Sequence, residues 1–212
     1  MTQPTPRAPR SDARANRESI LAAARETLAK DPRASIDAVA RAAGLSRRAL
    51  YGHFEDRAAL VTELIATGAQ RFNAIADEPM TADARADLAR LAARLWGAAE
   101  DVQLIAAVAL DDEHVASTAA ALAPVRRMLL EIVRRGQAVQ TLRTDMDAET
   151  LARIIEEGAR TFVTRAPMFT ASVTDARSIA VRAVLSLGGL SWREAEELVR
   201  AHPDLLAKES AR

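Results

Sequence analysis

From residue 12 onward, apolar positions recur at helical spacing, with no strand-like alternation. Ile20, Leu21, Ala24 and Leu28 share one face of a first helix, which Lys30-Asp31-Pro32 ends because proline cannot continue it. Ser35 is placed to cap a second helix whose inner face is Ile36, Val39, Ala40 and Ala43. Gly44 suits the left-handed residue just past a helix end, with Leu45 tucked in behind it. Ser46 caps a third, very short helix that turns Leu50 and Phe54 inward. Asp56 caps a fourth, running through Leu60, Leu64 and Ile65 to about residue 76. Beyond Pro79 and Thr81 the same period predicts helices over 83–97, 101–114, 120–138, 147–165, 174–188 and 191–201. Ser191 and Glu194 form a capping box for the last, and Gly188-Gly189 ends the one before it. The expected fold class is all-α, with about 9–10 helices.

Composition divides this run of helices. Residues 1–11, rich in proline and arginine, are expected to be a disordered basic tail. Residues 12–58 form a first unit and 59–212 a second. Net charge is zero, yet residues 1–57 hold 11 Lys and Arg against 7 Asp and Glu, and the remainder 18 against 22. A basic front on an acidic body indicates two roles in one chain. With no cysteine, disulfides, zinc fingers and thiol catalysis are excluded. The N-terminus lacks the apolar core of a signal peptide. The longest apolar run, Leu104 to Leu110, is too short to span a bilayer, so no membrane partner and a cytoplasmic location are expected. Arginine outnumbers lysine 27 to 2, so guanidinium makes nearly every contact to an anion.

The second and third helices, joined by a tight glycine turn, have the pattern of a helix-turn-helix. With Leu50 and Phe54 buried, the third helix leaves Arg47, Arg48, Tyr51 and His53 outside. The first residues of such a helix reach base edges in the major groove, where arginine meets both O6 and N7 of guanine. Tyr51 can offer its hydroxyl to a phosphate and its ring to a thymine methyl. His53 and Arg57 are placed to hold the backbone, which sets register without reading sequence. Ser35, opening the second helix, can bind a phosphate of the other strand. The same geometry also occurs in proteins that bind no DNA. A helical partner-binding protein with a vestigial helix-turn-helix is therefore the alternative.

The segment SIDAVARAAGLS, followed by Leu50-Tyr51, His53-Phe54 and Arg57, resembles the N-terminal domain of the TetR family of bacterial transcriptional repressors. The likeness covers residues 13–65. It implies an N-terminal three-helix DNA-binding domain joined by a fourth helix to a C-terminal ligand-binding and dimerising bundle. The family's base-reading positions fall on Arg47, Arg48, Ala49 and Tyr51, and its phosphate contacts on Ser35, Ser46, Tyr51, His53 and Arg57. Arg48 and Ala49 depart from the usual small residue and hydroxyl residue, which points to altered base choice. Arg57 replaces a lysine and keeps the charge. Residues 134–151 also look like the family's junction between its seventh and eighth helices.

The resemblance further implies a homodimer on a double-stranded, pseudo-palindromic DNA operator, released by a small-molecule effector that the sequence does not identify. Ile154, Ile155, Gly158 and Phe162, with Ile179, Ala183, Val184 and Leu187, make apolar or small faces on the last two long helices. Such faces suit a dimer interface and equally suit packing within one chain. An effector pocket is expected between the fourth and eighth helices, with Phe72, Trp96, Leu104, Val108, His114, Met128, Leu129 and Phe162 as lining candidates. Asp111-Asp112-Glu113-His114 are consecutive, so on a helix they point apart and cannot share one ion. No metal and no cofactor are expected. His53, His114 and His202 lack the partner spacing of a catalytic pair, and an enzyme is not expected.

Overall fold

In the computed structural model, residues 9–100, 115–169 and 173–206 are described. All regular structure among them is helical. Helix α1 (Pro9–Lys30) opens three residues earlier than the tail boundary expected from composition. Proline is compatible with a helix start, because the first amides have no partner inside the helix. Ile20, Ala24 and Leu28 form its buried face, and Asp31 turns the chain by accepting from the Arg33 amide at 2.9 Å. Helices α2 (Ile36–Ala42), α3 (Arg47–Tyr51) and α4 (Arg57–Ile75) follow. Their inner residues, among them Val39, Leu50, Phe54, Leu60, Val61 and Leu64, close one core with those of α1.

Helix α4 then runs out of this unit into the second. Helix α5 (Ala84–Glu100) follows, with α6 (Val115–Ala121), α7 (Ala123–Ala138), α8 (Ala148–Phe169), α9 (Val173–Leu187), α10 (Trp192–Ala201) and a final 3₁₀ turn (Pro203–Leu206). The helix expected over 101–114 lies outside the described residues. The one expected over 120–138 starts instead after a break at Leu122, because Pro124 takes an N-terminal position of α7. Leu88, Ile132, Val133, Leu151, Ile155, Val181 and Leu185 anchor the core of the body. Burying one such side chain contributes roughly 1.5–3 kcal/mol.

Two polar devices fix the joints of this body. Asp87, only 2% exposed, accepts from the Thr81 amide at 2.9 Å, the Thr81 hydroxyl at 2.8 Å and Arg90 at 3.0 Å. Arg135 Nη1 of α7 stands 3.4 Å from Asp87 Oδ2, the oxygen that the Thr81 amide also meets at 2.9 Å. A buried carboxylate is tolerable when paired in this way, and the cluster ties the α4–α5 loop to α7. Between α7 and α8, the Arg143 amide donates to the Gly188 carbonyl at 2.9 Å, and Gln137 donates to the carbonyls of Arg143 and Met146. The junction recognised in residues 134–151 therefore packs against the α9–α10 turn, where Gly189 takes a φ of +107°. No described helix is long and apolar enough to cross a membrane.

Candidate nucleic-acid interface

The helix-turn-helix is built by its caps. Ser35 Oγ accepts from the Ala38 amide and Ser46 Oγ from the Ala49 amide, each at 3.2 Å, and Asp56 accepts from the Ala59 amide at 2.7 Å. Past α2, Gly44 at φ +69° donates to the Arg41 carbonyl, and Leu45 donates to Ala40. That pair of bonds defines the Schellman turn. A Cβ on Gly44 would meet nothing within 4 Å, so conformation, and not space, requires glycine there. Five residues are too few to hold a helix alone. Leu50 and Phe54, fully buried, dock α3 on the core.

Docking leaves Ser46, Arg47, Arg48, Ala49, Tyr51 and Gly52 exposed on and beside α3. The positions expected to read bases are thus brought together on the surface. The Arg47 guanidinium lies 5.4 Å from the centre of the Tyr51 ring, and its Nε is 3.1 Å from Asp37 Oδ1. The Tyr51 hydroxyl and then the Asp37 carboxylate favour its charged form.

The positions expected to hold phosphate divide. Ser35 and Ser46 are exposed and spend their oxygens as caps, which leaves each hydroxyl proton to donate. His53 is half-buried at the turn into α4. Arg57 is partly committed inside the protein, donating to the Pro32 carbonyl at 2.6 Å and to Ala34 at 3.2 Å. It closes the α1–α2 turn and has further donors for an anion.

Two residues of this unit were not legible in the sequence. Arg17 donates Nε to Glu63 Oε1 at 2.7 Å and Nη1 to the His53 carbonyl at 2.9 Å, and lies 4.4 Å from the centre of the Phe54 ring. It joins α1, the α3–α4 turn and α4 through partners 36 and 46 residues away, which no local pattern reveals. Asp37 faces Arg47 across the turn, a juxtaposition that helix-turn-helix geometry offers to α2's first turn.

Behind the interface, Asn73 of α4 donates to the Ala121 carbonyl at 2.8 Å, and Ala121 packs on the core of the DNA-facing unit. Of the residues expected to line an effector pocket, the described ones fall in two apolar clusters. Leu129 lies in the core of the body, with Phe72 and Met128 packed against it. Trp96 forms a second small cluster with Ala176, Ala180, Phe162 and Val163. Leu104, Val108 and His114 lie outside the described residues, as do Asp111 to Glu113. A cleft of about 300 Å³ opens between the end of α4 and α7, and of the expected residues it takes only Met128.

The faces proposed for a dimer also divide. Ile154 and Ile179 are 38% and 39% exposed. Ile155 and Val184 are buried in the chain's own core, the second of the two uses such faces can serve. Gly158 lets Leu187 approach so closely that the two serve α8–α9 packing within the chain. Phe162 and Ala183 are half-buried. Among the described residues no group of three His, Asp or Glu is placed to hold a metal.

The sequence model of "Bacterial regulatory proteins, tetR family" matches residues 20–64, a span that contains the whole helix-turn-helix. A bacterial regulatory protein in the tetR family from Rhodococcus RHA1 has a similar structure, with a TM-score of 0.70 at 20% identity, covering 83% of this chain and 98% of that one. PfmR, a TetR family transcriptional regulator from Thermus thermophilus, gives 0.65 at 20%, covering 82% and 97%. The transcriptional regulator FadR from Bacillus subtilis, solved in complex with stearoyl-CoA, gives 0.65 at 16%, covering 81% and 97%. No curated protein matches the chain. Residues 20–64 thus match the tetR family of bacterial regulatory proteins in sequence, and the chain shares the fold of solved TetR-family transcriptional regulators.

Proposed function

We propose that the chain is a homodimeric repressor that occupies a pseudo-palindromic operator and is released by a small-molecule effector held in the body. It acts by binding and not by catalysis. The observation that carries the reading is the seat of Ala121 on the DNA-facing core, fastened by Asn73. Through that seat, a change in how the body packs alters where α4 and the recognition helix stand. An effector shifts the population of conformers to the extent that it binds one better than the other. Trp96 and Phe162 pack in an apolar cluster of the body, and a ligand that opened it would be mainly apolar or amphipathic. The stearoyl-CoA of the Bacillus subtilis FadR structure is a compound of that kind. Ile154 and Ile179 are the exposed apolar residues through which α8 and α9 meet a second copy.

The test is selection of bound duplexes from a random DNA pool, followed by titration of the winner at several salt concentrations, with and without stearoyl-CoA. The expected result is an enriched two-fold site whose half-sites stand about one helical turn or a multiple apart. Arg47→Ala and Arg48→Ala are each expected to cost about 1–3 kcal/mol on that site and to relax one base position. An equal loss on operator and random DNA would refute the assignment of those arginines to base reading. No enrichment, with weak binding that disappears as salt rises, would favour the partner-binding alternative.

A further inference from the structure

Asp37 lies in the first turn of α2, half-buried. Its Oδ1 is shielded from solvent and takes no well-aligned hydrogen bond among the described residues. Arg47 Nε, on the first residue of α3, stands 3.1 Å from that oxygen. The Arg47 and Asp37 side chains are 67% and 43% exposed, and an ion pair so exposed contributes little to folding. Its consequence is geometric. A guanidinium presents one edge through Nε and another through its two Nη groups. With its Nε edge drawn to Asp37 by charge, Arg47 can offer its Nη groups to O6 and N7 of a guanine, the end-on bidentate contact. The Tyr51 ring, 5.4 Å from the guanidinium carbon, limits its position from a second side.

We infer that Asp37 is a specificity-determining positioning residue, which fixes Arg47 as an end-on reader of guanine by drawing its Nε across the turn. The inference rests on the DNA-binding reading above. It adds that base choice is set partly by a residue of α2 that itself contacts no base. Orienting an arginine before binding lowers the ordering cost on the correct site. The same carboxylate repels phosphate, so it penalises placements in which Arg47 rests on the backbone and reads nothing.

The experiment is duplex selection with the full chain carrying Asp37→Ala, Asp37→Asn or Arg47→Ala, beside the unaltered protein. Arg47→Ala marks the guanine that Arg47 reads. Asp37→Ala is expected to lower the preference for that guanine roughly fivefold, the scale of one exposed ion pair, and to raise affinity for random DNA. Asp37→Asn keeps the size of the side chain but not its charge, and is expected to lower the preference much as Asp37→Ala does, because charge draws Nε across the turn. Unchanged base preferences in Asp37→Ala, with affinity raised evenly on all sequences, would overturn the inference and leave Asp37 as a repelling charge. Preferences blurred alike at every position would overturn it too, because that is loss of the α2–α3 fold. If the unaltered protein enriches no site, the DNA-binding reading itself fails, an outcome distinct from both.

Discussion

Asn73 on α4 donates its side-chain amide to the carbonyl of Ala121, the last residue of α6, across 48 residues of chain. Helix α4 carries the DNA-facing unit, and α6 belongs to the body. The bond is thus a fastening between the helix-turn-helix unit and the body. Asn73→Ala would leave the Ala121 carbonyl without this partner, at a cost of about 1–2 kcal/mol. Hydrogen exchange should then rise in α6 together with the end of α4. Faster exchange confined to α4 would show that the two helices are not joined there.

Arg57 performs two tasks that can be separated. Arg57→Ala removes its bonds to the Pro32 and Ala34 carbonyls, which should lower stability by about 1–2 kcal/mol. It should also weaken binding to operator and random DNA alike and reduce the salt slope by about one. Arg57→Lys keeps the charge but not the two-carbonyl grip. It is expected to restore most of the DNA affinity and only part of the melting temperature. A lysine variant that restored both equally would reduce the residue to a point charge.

Ile154 and Ile179 are exposed in a single chain. Placing a charge at either should cost the monomer less than about 0.5 kcal/mol, as surface changes do. Ile154→Asp and Ile179→Asp are nevertheless expected to shift sedimentation from dimer to monomer and to weaken operator binding far more than half-site binding. A dimer that persists in the double variant would move the interface elsewhere.

The start of α8 gives a defined acid limb. Asp147 accepts from the Thr150 amide and hydroxyl, both at 2.8 Å, and these bonds hold its pKa below the ordinary carboxylate value. The guanidiniums of Arg143 and Arg134 shift Asp145 and Glu149 the same way. A depressed folded pKa means the contribution is complete above the unfolded value, near 3.9 for aspartate, and is lost as pH falls through the folded value. The melting temperature should therefore be level from about pH 8 to 5 and drop below about pH 4. Asp147→Asn should make that drop shallower. A transition centred near neutral pH would assign acid sensitivity to other groups.

Much of the DNA-facing unit was legible because its determinants are local. Ser35, Ser46 and Asp56 each bond an amide three residues on, and Gly44 declares its backbone by residue type. Leu50 and Phe54 are a helical turn apart and do point inward. What escaped was long-range: Arg17 reaching Glu63, Arg57 turning back to Pro32, and Asp87 gathering Thr81, Arg90 and Arg135. In the body, apolar periodicity marks which residues are buried but not against what. Ile155 and Ile154 are neighbours in sequence, yet one enters the core and the other faces solvent. Trp96 and Phe162 did come together, although as a packed cluster.

Helix α3 has only five residues, and the side chains that keep it in place are not those that face outward. Substitutions at Arg48, Ala49 and the other outward positions therefore leave the anchoring residues untouched. Because natural proteins sit only slightly above the stability they need, this separation matters for descent as well as for folding. A lineage carrying this scaffold can acquire a new binding site by exchanging a few outward residues, without first having to accumulate stabilising changes elsewhere.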